Sequence, residues 1–308
     1  MPGFRGLTVA RLARILGYSG RRLGALAAKV DRHYRRHPVT IGSKTRVLTI
    51  PSGELKHLQR TLLTELFYQL PQLGCLGHGR RRGVLWTLKR HERDSHLFHT
   101  DVKSFFPSVS AQRVRRALLG LKTTSAAAEL LTQLVTHDDQ LPQGAPTSVA
   151  VADAVLYPID LRISGLAAAH GLTYTRYMDD LALSGPGAVV TRFSKVVVEY
   201  LEEDGWVLSE KGGLYGPDES HRLLNAVVNR KPNVTRKYYD SVRGQLRRIA
   251  RFGHRPQVRE LDSLASKVVW IATVNQDRHG ALLKLLHEAH ERVAGNPASE
   301  VPAGDQHV

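Results

Sequence analysis

Leu172-Thr173-Tyr174-Thr175-Arg176-Tyr177-Met178-Asp179-Asp180-Leu181-Ala182-Leu183-Ser184 is the stretch on which the fold turns. β-favouring residues run up to Tyr177, two adjacent carboxylates interrupt them, and Leu181 to Leu183 resume the run. That pattern predicts a β-hairpin with the paired acids at its tip. The chain has 2 Met and 10 Tyr in 308 residues, so chance rarely assembles Tyr-Met-Asp-Asp here. A second β-like run, Leu97-Phe98-His99-Thr100-Asp101-Val102, ends near a third carboxylate. Three carboxylates at strand ends are the donors that a pair of Mg²⁺ ions needs for phosphoryl transfer. An isolated Asp pair is more often a solvated turn. Asp138-Asp139, in a polar loop without strand flanks, is read as that kind and given no catalytic role.

Outward from the hairpin, residues 96–216 read as strand, helices, hairpin, helix. Helical segments are expected at 111–121 and 125–136, and Pro142-Gln143-Gly144-Ala145-Pro146 forms a forced loop. Thr147 or Ser148 then caps a long alanine-rich helix that Pro158 should kink. Residues 188–204 give a further amphipathic helix. This order predicts an α+β layer, an antiparallel or mixed sheet backed by helices, rather than a doubly wound one. Before it, 8–17 and 21–36 read as two helices with cationic faces, Val39 to Ile50 as β structure and Glu54 to Leu70 as helix. Gly77 to Gly83 is a basic, glycine-punctuated loop carrying Arg80, Arg81 and Arg82. Beyond Pro232 helices are expected at 235–252, 258–271 and 279–294. Arg243, Arg247, Arg248 and Arg251 fall near one face of the first, a spacing suited to a phosphate backbone.

Composition narrows the partners. The balance of 44 Lys+Arg against 28 Asp+Glu gives a net charge of +16, which favours a polyanion such as nucleic acid. Cys75 is the only cysteine, so an intrachain disulfide and a cysteine-based zinc site are excluded, and a cytoplasmic location is expected. No apolar run reaches bilayer-spanning length, so no membrane partner is expected. His91-Glu92 and His287-Glu288 lack the second histidine of a zincin. His96 and His99 are read as packing or hydrogen-bonding groups rather than metal ligands.

Dispersed strings then carry a resemblance. In order they are Arg46-Val47-Leu48-Thr49-Ile50-Pro51, Glu54-Leu55-Lys56-His57-Leu58-Gln59, Asp101-Val102-Lys103-Ser104-Phe105-Phe106-Pro107-Ser108, Leu141-Pro142-Gln143-Gly144-Ala145-Pro146-Thr147-Ser148, the Tyr-Met-Asp-Asp string and Val227-Val228-Asn229. Over about residues 38 to 290 the chain resembles bacterial reverse transcriptases, most of all the retron type. The resemblance implies a right-hand polymerase with fingers, palm and thumb that copies RNA into DNA. It divides the chain into a basic helical arm (1–37), fingers (38–95), palm (96–230), helical thumb (231–295) and flexible tail (296–308).

It further implies catalytic Asp101, Asp179 and Asp180, with Val102 completing the donors for two Mg²⁺ ions that Mn²⁺ can replace. Nucleotide contacts fall to Arg46, Lys44, Phe106 as the steric gate against a ribose 2′-hydroxyl, Gln143, Tyr177 and Lys211. Phe105 is assigned to the core instead. Nucleic-acid contacts fall to Arg80, Arg81, Arg82 and the four arginines between 243 and 251. The implied partners are a structured RNA serving as template and primer, the DNA product, dNTPs and an effector protein in antiphage defence. Thr87-Leu88-Lys89-Arg90-His91 keeps only the histidine of the retron Asn-Ala-x-x-His string, and Leu223-Leu224-Asn225 replaces Val-Thr-Gly. Three other readings stay open: a bacterial reverse transcriptase of intron-derived, CRISPR-associated or abortive-infection lineage, a catalytically silent RNA-binding relative, and an untemplated palm-fold nucleotidyl transferase or cyclase.

Overall fold

A computed structural model describes residues 3–41, 44–70, 72–77, 82–252 and 258–294. The chain forms two compact units, one of residues 1–83 and 95–216, the other of 84–94 and 217–308.

The first unit begins with α1 (Val9–Leu16) and α2 (Gly20–Ala27). Thr8 and Ser19 cap them by accepting from the backbone N–H groups of Arg11 and Arg22. Their leucines, among them Leu12, Leu16, Leu23 and Leu26, are buried in the main core. The basic arm is therefore a packed layer that turns its arginines to solvent. Residues 28–36, expected as helix, instead form a short 3₁₀ turn and enter β1 (Tyr34–Ile41), which pairs antiparallel with β2 (Lys44–Pro51). Tertiary contacts override the helical spacing there: Gln59 Nε2 donates to the Tyr34 hydroxyl at 2.8 Å, and Ser52 N–H to the His33 carbonyl at 2.7 Å.

After α3 (Gly53–Glu65), the first unit resumes with β3 (His96–Val102), the one-turn α5 (Phe105–Ser108), α6 (Ala111–Gly120) and α7 (Ser125–Val135). The second unit takes the intervening α4 (Val84–Arg90). Next come α8 (Ser148–Ala169), β4 (Thr173–Tyr177), β5 (Asp180–Gly185), α9 (Gly187–Glu203) and β6 (Leu208–Tyr215). Thr147 takes the α8 N-cap position without a side-chain bond, and the Ser148 hydroxyl donates to the Pro142 carbonyl at 2.7 Å. The helix runs on through Pro158.

Four strands join antiparallel in the order β4-β5-β3-β6. Helix α9 packs on β3, β5 and β6, and α8 on β4. Buried Leu97, Leu181, Leu183, Val197 and Leu201 lie in these elements, each stabilising by roughly 1.5–3 kcal/mol. The β6 strand lies outside the expected strand-helices-hairpin-helix order. Close approach explains its Gly212: at φ +113°, a Cβ on this residue would collide with the His99 carbonyl.

The second unit continues with the two-residue strands β7 (Arg222–Leu223) and β8 (Ala226–Val227), then α10 (Arg236–Phe252), α11 (Val258–Val274) and α12 (Gly280–Ala294). Buried Val242, Leu246 and Ile249 mark the inner face of α10, and Leu264, Val268 and Ile271 that of α11. No described helix is long and apolar enough to cross a membrane.

Candidate active site

Strand register brings the carboxylates together. Tyr177 pairs with Asp180 across a two-residue loop, Met178-Asp179, and Asp180 pairs with Asp101 on β3. The Val102 N–H donates to the Asp179 carbonyl at 3.0 Å, tying the loop to the end of β3. Between Thr100 and Val102 the β3–β6 register shifts, leaving Ser209, Glu210 and Lys211 as a bulge opposite Asp101. Bulges re-aim side chains and recur beside active sites.

One carboxylate, Asp179, is perturbed by its surroundings. Burial first, then the neighbouring Asp180 charge, push the Asp179 carboxyl above its ordinary value, and Asp101 adds to the rise. A backbone hydrogen bond and the Arg46 guanidinium pull the other way. Asp180 has a separate partner, His99 Nε2, at 2.9 Å from its Oδ1. His99 is thus a hydrogen-bonding residue, and its role in holding Asp180 was not legible in the sequence. Three carboxylates gathered at one turn carry the kind of oxygen ligands that a hard divalent cation takes.

Other expected residues gather in the same unit. Arg46 projects from β2 near enough to act on Asp179 electrostatically. The Gln143 carbonyl accepts from Thr49 N–H at 2.8 Å, docking the 142–146 loop on β2. Gly144, at φ +119°, allows that approach, because its Cβ would sit 3.0 Å from Ile50 Cγ1. Phe105 is buried while Phe106, its ring centroid 5.2 Å away, is only partly so. Tyr177 is partly buried at the end of β4, and Lys211 is exposed.

Arg82 is drawn into folding its own loop, Nη1 donating to the carbonyls of Leu73 at 2.9 Å and Gly74 at 3.1 Å. Arg80, Arg81 and the Lys44 side chain lie outside the described residues. In the second unit, Arg243 pairs with Asp240 at 2.8 Å, and Arg248 lies 3.9 Å from Glu260. Arg247 and Arg251 are exposed.

A tighter acidic group lies elsewhere. Ligand atoms of Asp31, His137 and Asp138 fall within 4.8 Å of one another, a spacing that Asp101, Asp179 and Asp180 do not meet. Its members already have partners: His137 Nδ1 sits 2.8 Å from Asp31, and Arg36 Nη2 lies 3.1 Å from Asp138.

No family model matches the chain. Curated relatives do. The retron Ec86 reverse transcriptase of Escherichia coli is 27% identical over 90% of this chain and 88% of its own. The retron Mx65 and Mx162 reverse transcriptases of Myxococcus xanthus are 32% and 36% identical over 71% and 56% of this chain, of which they share 57% and 41% of their own lengths. Among solved structures, a foamy viral protease-reverse transcriptase aligns at a TM-score of 0.46 and 14% identity, over 85% of this chain and 43% of that one. Telomerase from Candida albicans aligns at 0.48 and 9%, over 86% and 59%. These overlays are too loose to carry weight. The sequence relatives, and a sheet that seats Tyr177-Met178-Asp179-Asp180 against Asp101, fit this α+β chain to the right-hand polymerase fold and make it similar to the bacterial reverse transcriptases of the retron type.

Proposed function

We propose that the protein is an RNA-directed DNA polymerase that extends a primer hydroxyl with dNTPs on an RNA template. One observation carries this reading: Asp101 stands opposite Asp180 in the sheet, while its charge, with that of Asp180, disfavours ionisation of Asp179. A cation relieves that repulsion.

Asp101 and Asp179 would hold the metal ions, assisted by Asp180 and Val102. Two Mg²⁺ ions, or Mn²⁺ in their place, supply charge neutralisation at the attacking hydroxyl and the leaving pyrophosphate. Arg46 clamps the triphosphate with its forked guanidinium, with Lys44 beside it in the strand. Phe106 lies under the sugar and excludes a 2′-hydroxyl. Gln143 and Tyr177 line the nucleotide and template base, and Lys211 stands by the pyrophosphate.

The first unit holds the fingers (38–95) and palm (96–230) for most of their lengths. The second supplies the thumb (231–295), whose α10 arginines track the phosphate backbone. Net positive charge favours such a partner. The template is a structured RNA that also primes. The enzyme works in the cytoplasm, with an effector protein, in antiphage defence.

The test is extension of a primer on RNA with Mg²⁺ and dNTPs, wild type against Asp101→Asn. Synthesis by the wild type alone is expected, and equal synthesis by both overturns the mechanism. Sequencing the copurifying nucleic acid addresses the lineage. One dominant structured RNA joined to DNA is expected, and its absence argues for another bacterial reverse transcriptase.

A further inference from the structure

Behind the acidic turn lies a buried ionic network that the proposed chemistry does not use directly. Tyr174 and Arg176, two apart on β4, project from the same side of the strand. Asp153 and Asp160, seven apart on α8, share one helix face. The Tyr174 hydroxyl donates to Asp160 Oδ1 at 2.9 Å. Arg176 Nε donates to both Asp160 oxygens at 3.0 Å, and Nη2 to Asp160 Oδ2 at 2.7 Å and Asp153 Oδ1 at 2.9 Å. Its third nitrogen, Nη1, turns back along the chain to the Met178 carbonyl at 2.8 Å.

Burying these ions costs several kcal/mol each before pairing, and well-packed apolar residues often hold a helix to a strand as firmly. Arg176 and Asp160 are 0% and 1% exposed, so that cost applies in full. Burial pulls the Arg176 guanidinium toward losing its proton, but Asp160 and Asp153 outweigh it and keep the charge. What an apolar residue cannot do is donate to the Met178 carbonyl. Met178 sits at φ +56°, a left-handed conformation that costs a non-glycine residue about 1–2 kcal/mol. It is the first residue of the two-residue loop, so its peptide sets where Asp179 and Asp180 point.

Resting on the two-metal reading above, we propose that Arg176 is a positioning residue. Its fork is anchored on α8 by Asp160 and Asp153, and its free prong holds the Met178 peptide so that the Asp179 and Asp180 carboxylates converge with Asp101. A lysine retains the charge but offers a single point of donation and cannot span all three acceptors.

Met178 is one of two methionines in the chain, which makes its ¹³C-labelled methyl group an NMR reporter on the turn. The full chain is compared as wild type, Arg176→Lys and Asp153→Asn, with folding checked by circular dichroism and a cooperative melt. In folded Arg176→Lys the Met178 methyl resonance is expected to shift. The Mn²⁺ concentration that broadens it should rise about fivefold, the worth of roughly one hydrogen bond. Primer extension should fall in kcat with little change in KM for dNTP.

A folded Arg176→Lys whose methyl resonance and Mn²⁺ titration coincide with wild type overturns the proposal. If that variant does not fold, Asp153→Asn decides, with a smaller change in the same direction expected and coincidence overturning it. Failure of Mn²⁺ to broaden the wild-type methyl would sink the metal reading instead. The methyl shift in Arg176→Lys still decides whether Arg176 sets the turn.

Discussion

The chain contains two Asp-Asp pairs in tight turns, and they differ in what neutralises them. In His137-Asp138-Asp139-Gln140 the acids fill a two-residue loop, both at positive φ, closed by hydrogen bonds between His137 and Gln140. Arg36 reaches Asp138, and His137 stands between Asp31 and Asp138 with its ring stacked on Tyr34. In Tyr177-Met178-Asp179-Asp180 only Met178 has positive φ, and the second acid opens a core strand facing Asp101. Asp179 is crowded by burial and two other acids, with Arg46 the cation that acts on it. Asp138 is paired by Arg36 and Asp180 by His99, whereas Asp179 is raised by burial and by its acidic neighbours. A dipeptide therefore says little until its neighbours are known.

The sharpest way to break this comparison is to truncate both pairs. Asp179→Ala should lower metal-dependent primer extension by about 10³-fold, the equivalent of roughly 4 kcal/mol of lost transition-state stabilisation. Asp138→Ala should leave the rate within about threefold, because exposed ion pairs contribute at most about 1 kcal/mol to stability. Comparable losses in both would remove the distinction. The adjacent phenylalanines sharpen it further. Phe106→Ala should raise ribonucleotide incorporation roughly 10- to 100-fold, within the range a pocket of changed size discriminates. Phe105→Ala should instead cost about 3–5 kcal/mol of stability with sugar choice unchanged. Competition between dNTP and rNTP, alongside denaturant melts, separates the two.

Local pattern made much of this legible. The alternating run into Asp101, the hairpin around Asp179 and the helices beyond Pro232 all show their period in the residues, and the structure forms them within a few positions. Long-range pairing was the blind spot. Tyr34 enters a strand because Pro51 and Gln59 receive it, and β6 forms because Gly212 lets two backbones touch, neither visible to a window of neighbours. The same limit hid the site's supports. No local pattern singles out Arg176; α8 brings Asp153 and Asp160 to it from a distance in sequence.

The smallest expected effect tests the electrostatic half of the comparison. Because the folded-state pKa of Asp179 is raised, its protonated form favours the fold. That contribution is fully present below the unfolded carboxylate value of about 3.9 and is lost as pH rises through the higher folded value. At neutral pH without divalent metal, the ionised group therefore works against folding. Asp179→Asn should melt about 2 °C higher than wild type at pH 7 in chelator. The gap should close as pH falls through the raised folded value, where the wild-type carboxyl takes up its proton. Adding Mg²⁺ should raise the wild-type melt more than that of the variant, because only the wild type keeps the full set of anionic ligands. Asp138→Asn should show no such gain, since Arg36 already pairs with that carboxylate. A metal-free melt of Asp179→Asn at or below wild type would mean that the turn near Asp101 is as well neutralised as the one near Arg36.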